Sequence, residues 1–126
     1  MYNKKQNNNY IKFIRPDFTI SDDRGALLQL VSRGWNQVNF INSNKDTTRG
    51  NHFHARNREA FFIISGKFDL ILSGDQGFLQ SFDMLPQDFF IIEPFIRHQF
   101  NFKENTNLIS FYDKGVINED GTMDIY

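Results

Sequence analysis

The chain holds three histidines, His52, His54 and His98, and their placement points to chemistry. His52 and His54 are one residue apart in the run Gly50-Asn51-His52-Phe53-His54. In an extended strand, residues two apart project from the same face, which would stand two imidazoles side by side. Glu59 follows a short stretch of turn composition and opens the next apolar segment, within reach of the pair. His98 alternates with Phe100 and Phe102, which assigns it to an inward, aromatic-lined face where an ionisable ring needs a partner. Three imidazoles and one carboxylate converging inside a barrel suit a single divalent metal, zinc or another transition metal, with coordination positions left open. The alternative is an ordinary polar role for each: satisfied strand histidines, and Glu59 in a solvated turn.

Bringing these side chains together requires strands, and the chain reads as strands throughout. Apolar segments fall at 10–15, 26–31, 37–42, 49–56, 60–65, 67–72, 78–84, 88–92, 97–103 and 108–112. Between them lie turn compositions such as Asp23-Arg24-Gly25, Ser65-Gly66, the stretch 73–77 and Glu93-Pro94. No stretch sustains helical apolar spacing, so the pattern predicts an all-β sandwich or barrel. Within 67–72, Phe68, Leu70 and Leu72 share one face. The 15 phenylalanines fit a core role in such strands. Residues 1–9 read as a polar tail, and 10–126 as a single domain.

Composition excludes several function classes. With 126 residues the chain suffices for one core without staples, and the absence of cysteine removes disulfides, thiolate metal sites and cysteine nucleophiles. A net charge of -1 supplies no field for nucleic acid or an anionic membrane. No apolar run approaches the ~20 residues of a membrane helix, and the Asn-rich start has no signal-peptide centre. These features predict a soluble, cytoplasmic protein without nucleic-acid or membrane partners.

The run from Gly50 through His52, His54 and Glu59 to Gly66 resembles the first cupin motif, and Pro94-Phe95-Ile96-Arg97-His98 resembles a form of the second that lacks its usual glycine. The resemblance implies a cupin-type double-stranded β-helix, the jelly-roll barrel. Asp22-Asp23-Arg24-Gly25 and Arg49-Gly50-Asn51-His52 are similar to segments of the nucleotide-sugar cupins. Those are the dTDP-4-dehydrorhamnose 3,5-epimerases, the dTDP-4-keto-6-deoxyhexose 3,4-ketoisomerases and the cupin half of capsular polysaccharide reductase/epimerases. All act on nucleotide-linked 4-keto-6-deoxy sugars.

The resemblance implies an isomerase or epimerase that removes a proton next to the ketone of a dTDP- or UDP-linked sugar, without an organic cofactor. In the epimerases and ketoisomerases the histidine at the position of His52 is the general base of a metal-free site. In metal cupins the positions of His52, His54, Glu59 and His98 are ligands, and this sequence keeps the full set. The two assignments of His52 exclude each other. His54 and Tyr112 are candidates for returning the proton, Tyr112 having an ordinary aromatic role as its alternative. Arg24 and Arg49 match positions that hold the diphosphate, against surface ion pairs with Asp22, Asp23 or Asp46. The resemblance also implies a homodimer, with 10–15 as the strand for exchange. A metal-dependent oxygenase and a non-catalytic sugar-binding barrel are the competing functions.

Overall fold

A computed structural model of the chain describes residues 5–74, 77 and 79–126. Residues 1–4 of the expected tail, Asp75 and Gln76 of the expected turn, and Phe78 at the expected start of a strand lie outside the described residues.

The described residues form eleven strands and no helix. They are β1 (Ile11–Phe13), β2 (Phe18–Asp22), β3 (Gly25–Gln29), β4 (Gln37–Ser43), β5 (Thr48–His52), β6 (Glu59–Ser65), β7 (Phe68–Ser73), β8 (Leu79–Met84), β9 (Phe89–Ile92), β10 (Arg97–Phe102) and β11 (Thr106–Tyr112). A five-stranded sheet runs β1-β9-β6-β11-β4, a four-stranded sheet runs β5-β10-β7-β8, and β2-β3 stands apart as a hairpin. Every pairing is antiparallel. The fold is the all-β, cupin-type jelly roll.

Alternation decides the lumen. Phe68, Leu70 and Leu72 of β7 and His98, Phe100 and Phe102 of β10 are all buried, as their period-two spacing requires. They meet Phe61, Ile63, Phe90 and Leu108 of the facing sheet in one core. Burying a Phe of this kind contributes about 1.5–3 kcal/mol. β6 breaks the alternation because both its faces are covered. Glu59, Phe61 and Ile63 face the lumen, while Ala60 and Phe62 pack outward beneath Leu28, Leu30, Val31 and Trp35.

Two expectations need correction. The sequence pattern does not mark β2, because Phe18 and Ile20 are about half exposed and pair only with β3, so burial leaves little pattern in the sequence. Within the single chain, the core of the expected strand 10–15, β1, pairs with β9. Strand 49–56 stops at His52, so His54 is not held by a sheet ladder. The described part of the tail also bonds to the body. Asn7 Oδ1 accepts from Phe13 N (2.7 Å), and Asn8 Oδ1 accepts from Tyr10 N (2.8 Å) and Ile11 N (3.1 Å).

A β-bulge sets the phase of β5. Arg49 lies opposite Phe100 and Gly50 opposite Gln99, yet His52, not Asn51, lies opposite His98. Asn51 is the extra residue, and Gly50 and Asn51 take φ of 84° and 63° to accommodate it. Without the bulge, alternation from Arg49 would turn Asn51 into the lumen and His52 out. Gly50 is required twice, since a Cβ there would lie 2.7 Å from the His98 carbonyl oxygen. Replacing Gly50 by Ala should therefore destabilise the fold by about 1–3 kcal/mol, read as a lower thermal midpoint. An unchanged midpoint would show that the bulge carries no such constraint.

Candidate active site in the barrel lumen

The four residues singled out by spacing do converge. One ligand atom from each of His52, His54, Glu59 and His98 lies within 4.8 Å of the others. Glu59 comes from the first residue of β6, His98 from the second residue of β10, and His52 from the end of β5. His54 reaches in from the loop beyond β5. His54, Glu59 and His98 are buried, and His52 is partly exposed at the cavity wall.

The hydrogen bonds assign the ring nitrogens. His54 Nδ1 lies 2.6 Å from the Asp124 carbonyl oxygen, and His98 Nδ1 lies 3.0 Å from that of Ile96. A carbonyl only accepts, so both Nδ1 atoms carry protons. Each Nε2 then turns towards Glu59. His54 Nε2 is 2.8 Å from Glu59 Oε1. His98 Nε2 is 3.5 Å from the same oxygen and has no hydrogen-bond partner. In the neutral ring this atom is a lone pair in a dry place.

That orphan is a physical test of the metal expectation. Three imidazoles and a carboxylate face one point, and two of the rings have Nδ1 anchored on backbone carbonyls, as metal-binding histidines commonly do. The residues fit one divalent transition ion, and a three-nitrogen, one-oxygen donor set suits zinc.

Electrostatics follows from the same packing. Burial is the largest influence on Glu59 and pushes its pKa up, but the His54 hydrogen bond and the nearness of both His54 and His98 outweigh it, and the net direction is down. Burial likewise disfavours a charged His54, yet the Glu59 bond and Asp124 prevail and raise it. The two form a buried ion pair. His52 is lowered to about 4, first by burial and then by the neighbouring imidazoles His98 and His54. It is therefore a neutral ring. Tyr112 is raised by burial and then by the Glu59 carboxylate, so it keeps its proton at neutral pH. Its ring packs edge-on against His54 at 5.1 Å.

His52, Glu59, His98 and Tyr112 line a cavity of about 260 Å³ together with Arg49, whose guanidinium is held by Ser43 Oγ (2.6 Å) and the Asn42 carbonyl (3.2 Å). Arg24 is not brought to this cavity. It stands exposed at the tip of the β2–β3 hairpin in a bidentate pair with Asp22 (2.6 and 3.2 Å), the surface ion pair that was its alternative. Sequence reasoning missed Asp124 and Arg97. Asp124 bonds to His54 from 70 residues away, and no motif announces it. Arg97 Nη1 donates to the Asn51 carbonyl (2.6 Å) and so pins the bulge.

No curated sequence matches the chain. Among solved structures, the 3,4-ketoisomerase QdtA from Thermoanaerobacterium thermosaccharolyticum, in a mutant form with TDP-4-keto-6-deoxyglucose, is 19% identical with a TM-score of 0.75, over 94% of this chain and 87% of that one. The dTDP-4-dehydrorhamnose 3,5-epimerase from Sulfolobus tokodaii is 19% identical with a TM-score of 0.70, over 86% of this chain and 72% of that one. The capsular polysaccharide assembling protein CapF from Staphylococcus aureus is 19% identical with a TM-score of 0.65, over 86% of this chain but 33% of its own. At these identities the likeness is one of fold. The sequence itself matches the family described as polysaccharide biosynthesis C-terminal domain over residues 20–108, well over half its length. The chain belongs to the polysaccharide biosynthesis C-terminal domain family.

Proposed function

We propose that the chain is an isomerase or epimerase of a nucleotide-linked 4-keto-6-deoxyhexose, shifting a proton next to the ketone, in the making of sugars for cell-surface polysaccharide. One observation carries the reading: a neutral imidazole, His52, and a protonated phenol, Tyr112, line the same cavity as Arg49. The ketoisomerase and epimerase structures of the same fold support the substrate class.

The ketone at C4 acidifies the hydrogens on C3 and C5. His52 accepts such a proton on its free nitrogen, and the electron pair moves into an enediolate. Tyr112 or His54 returns a proton, to the opposite face of the same carbon in epimerisation or to C4 in ketoisomerisation. A base held near 4 is weak when free, and the negative charge of a bound diphosphate raises it towards the working range. The cavity of about 260 Å³ lies below the usual ~300–1,000 Å³ of ligand pockets, so it takes the hexose and leaves the dTDP or UDP at the mouth. Arg49 holds the diphosphate there.

The orphaned Nε2 of His98 favours a second state of the same site, in which His52, His54, Glu59 and His98 hold one divalent metal. That ion would supply Lewis-acid polarisation of the sugar oxygens. His52 would then be a ligand and unable to take the proton, so in that state the ion would be structural or the base another residue of the chain.

The near-zero net charge supports a cytoplasmic protein working on a small molecule, with neither nucleic acid nor membrane as partner. No helix among the described residues is long and apolar enough to cross a membrane. The homodimer fits the β2–β3 hairpin, where Phe18, Ile20 and Leu27 are exposed. A second copy covering this arm would also change the surroundings of Arg24.

Purified protein given such a sugar nucleotide in deuterated water should incorporate solvent deuterium at C3, C4 or C5, and His52→Asn should slow this about 10²–10⁴-fold. No incorporation into any 4-keto-6-deoxyhexose would end the proposal. Chelation separates the two states of the site. Exchange that survives metal removal makes His52 the base, whereas exchange lost to a chelator and restored by zinc makes it a ligand.

In the metal-free enzyme kcat/KM should stay level down to about pH 4 and fall below it, because the base must be unprotonated. A limb at the ordinary histidine value would contradict the site's electrostatics.

The buried ion pair sets a stability window. Glu59, lowered on folding, stabilises above its ordinary 4.5 and loses that contribution as pH falls through its folded value. His54, raised on folding, stabilises below its ordinary 6.5 and loses its contribution as pH rises through its folded value. In chelator, Glu59→Gln should therefore cost most between pH 4.5 and 6.5, about 3–5 kcal/mol, with the gap in denaturation midpoint narrowing on both sides.

A further inference from the structure

We infer that Ser110 is a further catalytic residue: its hydroxyl donates a hydrogen bond to the sugar's ketone oxygen and stabilises the negative charge that grows there when His52 takes the proton. This role rests on the isomerase or epimerase reading of the lumen, and it is one that His52, Tyr112 and Arg49 leave unfilled.

An enediolate carries its charge on the former ketone oxygen, so the site needs a hydrogen-bond donor aimed there. Arg49 is the only cation among the described residues lining the cavity, and Ser43 and the Asn42 carbonyl turn it towards the end of β4. Two hydroxyls line the cavity, those of Tyr112 and Ser110. The Tyr112 hydroxyl is assigned to proton return. Ser110 stands two residues before it on β11, so alternation puts both side chains on the lumen face. Ser110 is 1% exposed, in a place where a hydroxyl needs partners.

A chain of amides fixes which way that hydroxyl points. Gln37 and Asn39 share one face of β4 and lie opposite Tyr112 and Ser110 in register. The chain begins at a backbone N–H, which can only donate: Val116 N donates to Gln37 Oε1 (2.8 Å). Gln37 Nε2 is thereby turned to Asn39 Oδ1 (3.4 Å), and Asn39 Nδ2 to Ser110 Oγ (3.2 Å). Flipping either amide would set two donors or two acceptors face to face. Ser110 Oγ therefore accepts from Asn39, and among the described residues that is its side chain's only hydrogen bond. Its neighbour in register on β6 is Phe61, which offers the proton no acceptor. The hydroxyl proton is left for the lumen. Hydrogen bonds aligned in this way also polarise one another, which strengthens the last donor.

In the reaction the proton from C3 or C5 goes to His52. Its electron pair forms the double bond to C4, and the carbonyl pair moves onto oxygen. Ser110 keeps its own proton, and its hydrogen bond tightens as that oxygen gains charge. The hydroxyl thus holds the enediolate more strongly than the ketone, and only such a difference speeds the step.

The first test is solvent-deuterium exchange into dTDP-4-keto-6-deoxyglucose in the presence of a chelator. Ser110→Ala should lower kcat about 10²–10³-fold and leave KM near that of wild type. Asn39→Asp puts an acceptor where Asn39 donates, draws the Ser110 proton onto itself, and should lower kcat although Ser110 is intact. A loss confined to KM would make Ser110 a reader of sugar hydroxyls and overturn the inference. The second test needs binding but no turnover. With the sugar bound to His52→Asn, the infrared band of its ¹³C-labelled C4 carbonyl should lie below the solution value, and adding Ser110→Ala should move it back up. A band that Ser110→Ala leaves in place, or no bound sugar at all, would also overturn the inference. No exchange by wild type, with the band still sensitive to Ser110, would end the proposed function and leave this assignment standing.

Discussion

A carboxylate has been taken out of water in the middle of an aromatic barrel, and the lumen is organised around that fact. Glu59 is 4% exposed, with Phe61 two residues along the same face. An unpaired carboxylate in such a place would give up its charge. His54 Nε2 pairs with one of its oxygens, which keeps the charge, and His98 Nε2 stands 3.5 Å from the same oxygen. Burial, helped by that carboxylate, keeps Tyr112 a phenol, while burial and the neighbouring imidazoles keep His52 neutral at the cavity wall against the pull of Glu59.

The imidazoles reach that charge by three unlike backbone devices. His98 needs only period-two alternation on β10. His52 needs a bulge, because Arg49 and His52 are three residues apart and both line the cavity. Gly50 supplies the left-handed conformation, and the Arg97 guanidinium clasps the bulged peptide. His54 lies beyond the strand and depends on a segment that joins it from the far end of the chain. A pattern that reads as one short motif is held by a strand, a bulge and a strap.

Outside the barrel, the second packed layer explains features that the site does not. Leu28, Leu30, Val31 and Trp35 cover the outer face of the five-stranded sheet, which is why β6 is apolar on both sides. The β2–β3 hairpin continues outward from this layer with apolar residues exposed and Arg24 at its tip. Arg24 and Arg49, alike in type, part company here: one is held in the cavity wall by Ser43, the other by Asp22 on the surface.

The jelly-roll class, the inward placement of His98 with Phe100 and Phe102, and the meeting of His52, His54, Glu59 and His98 were all legible in the residues. Each rests on alternation or on a short motif, and strand sterics act locally, so a linear pattern records them. The exposed hairpin strand β2 left little trace, because alternation encodes burial and β2 has little. The bulge, the strap and the fate of Arg24 depend on which distant segment arrives where. Asp124 meets His54 across 70 residues, and the proton on Nδ1 is decided by a backbone carbonyl, a group every residue has. Side-chain identity determined which chemistry was available here, and only tertiary structure decided which nitrogen would perform it, because hydrogen-bond partners are a property of neighbours in space.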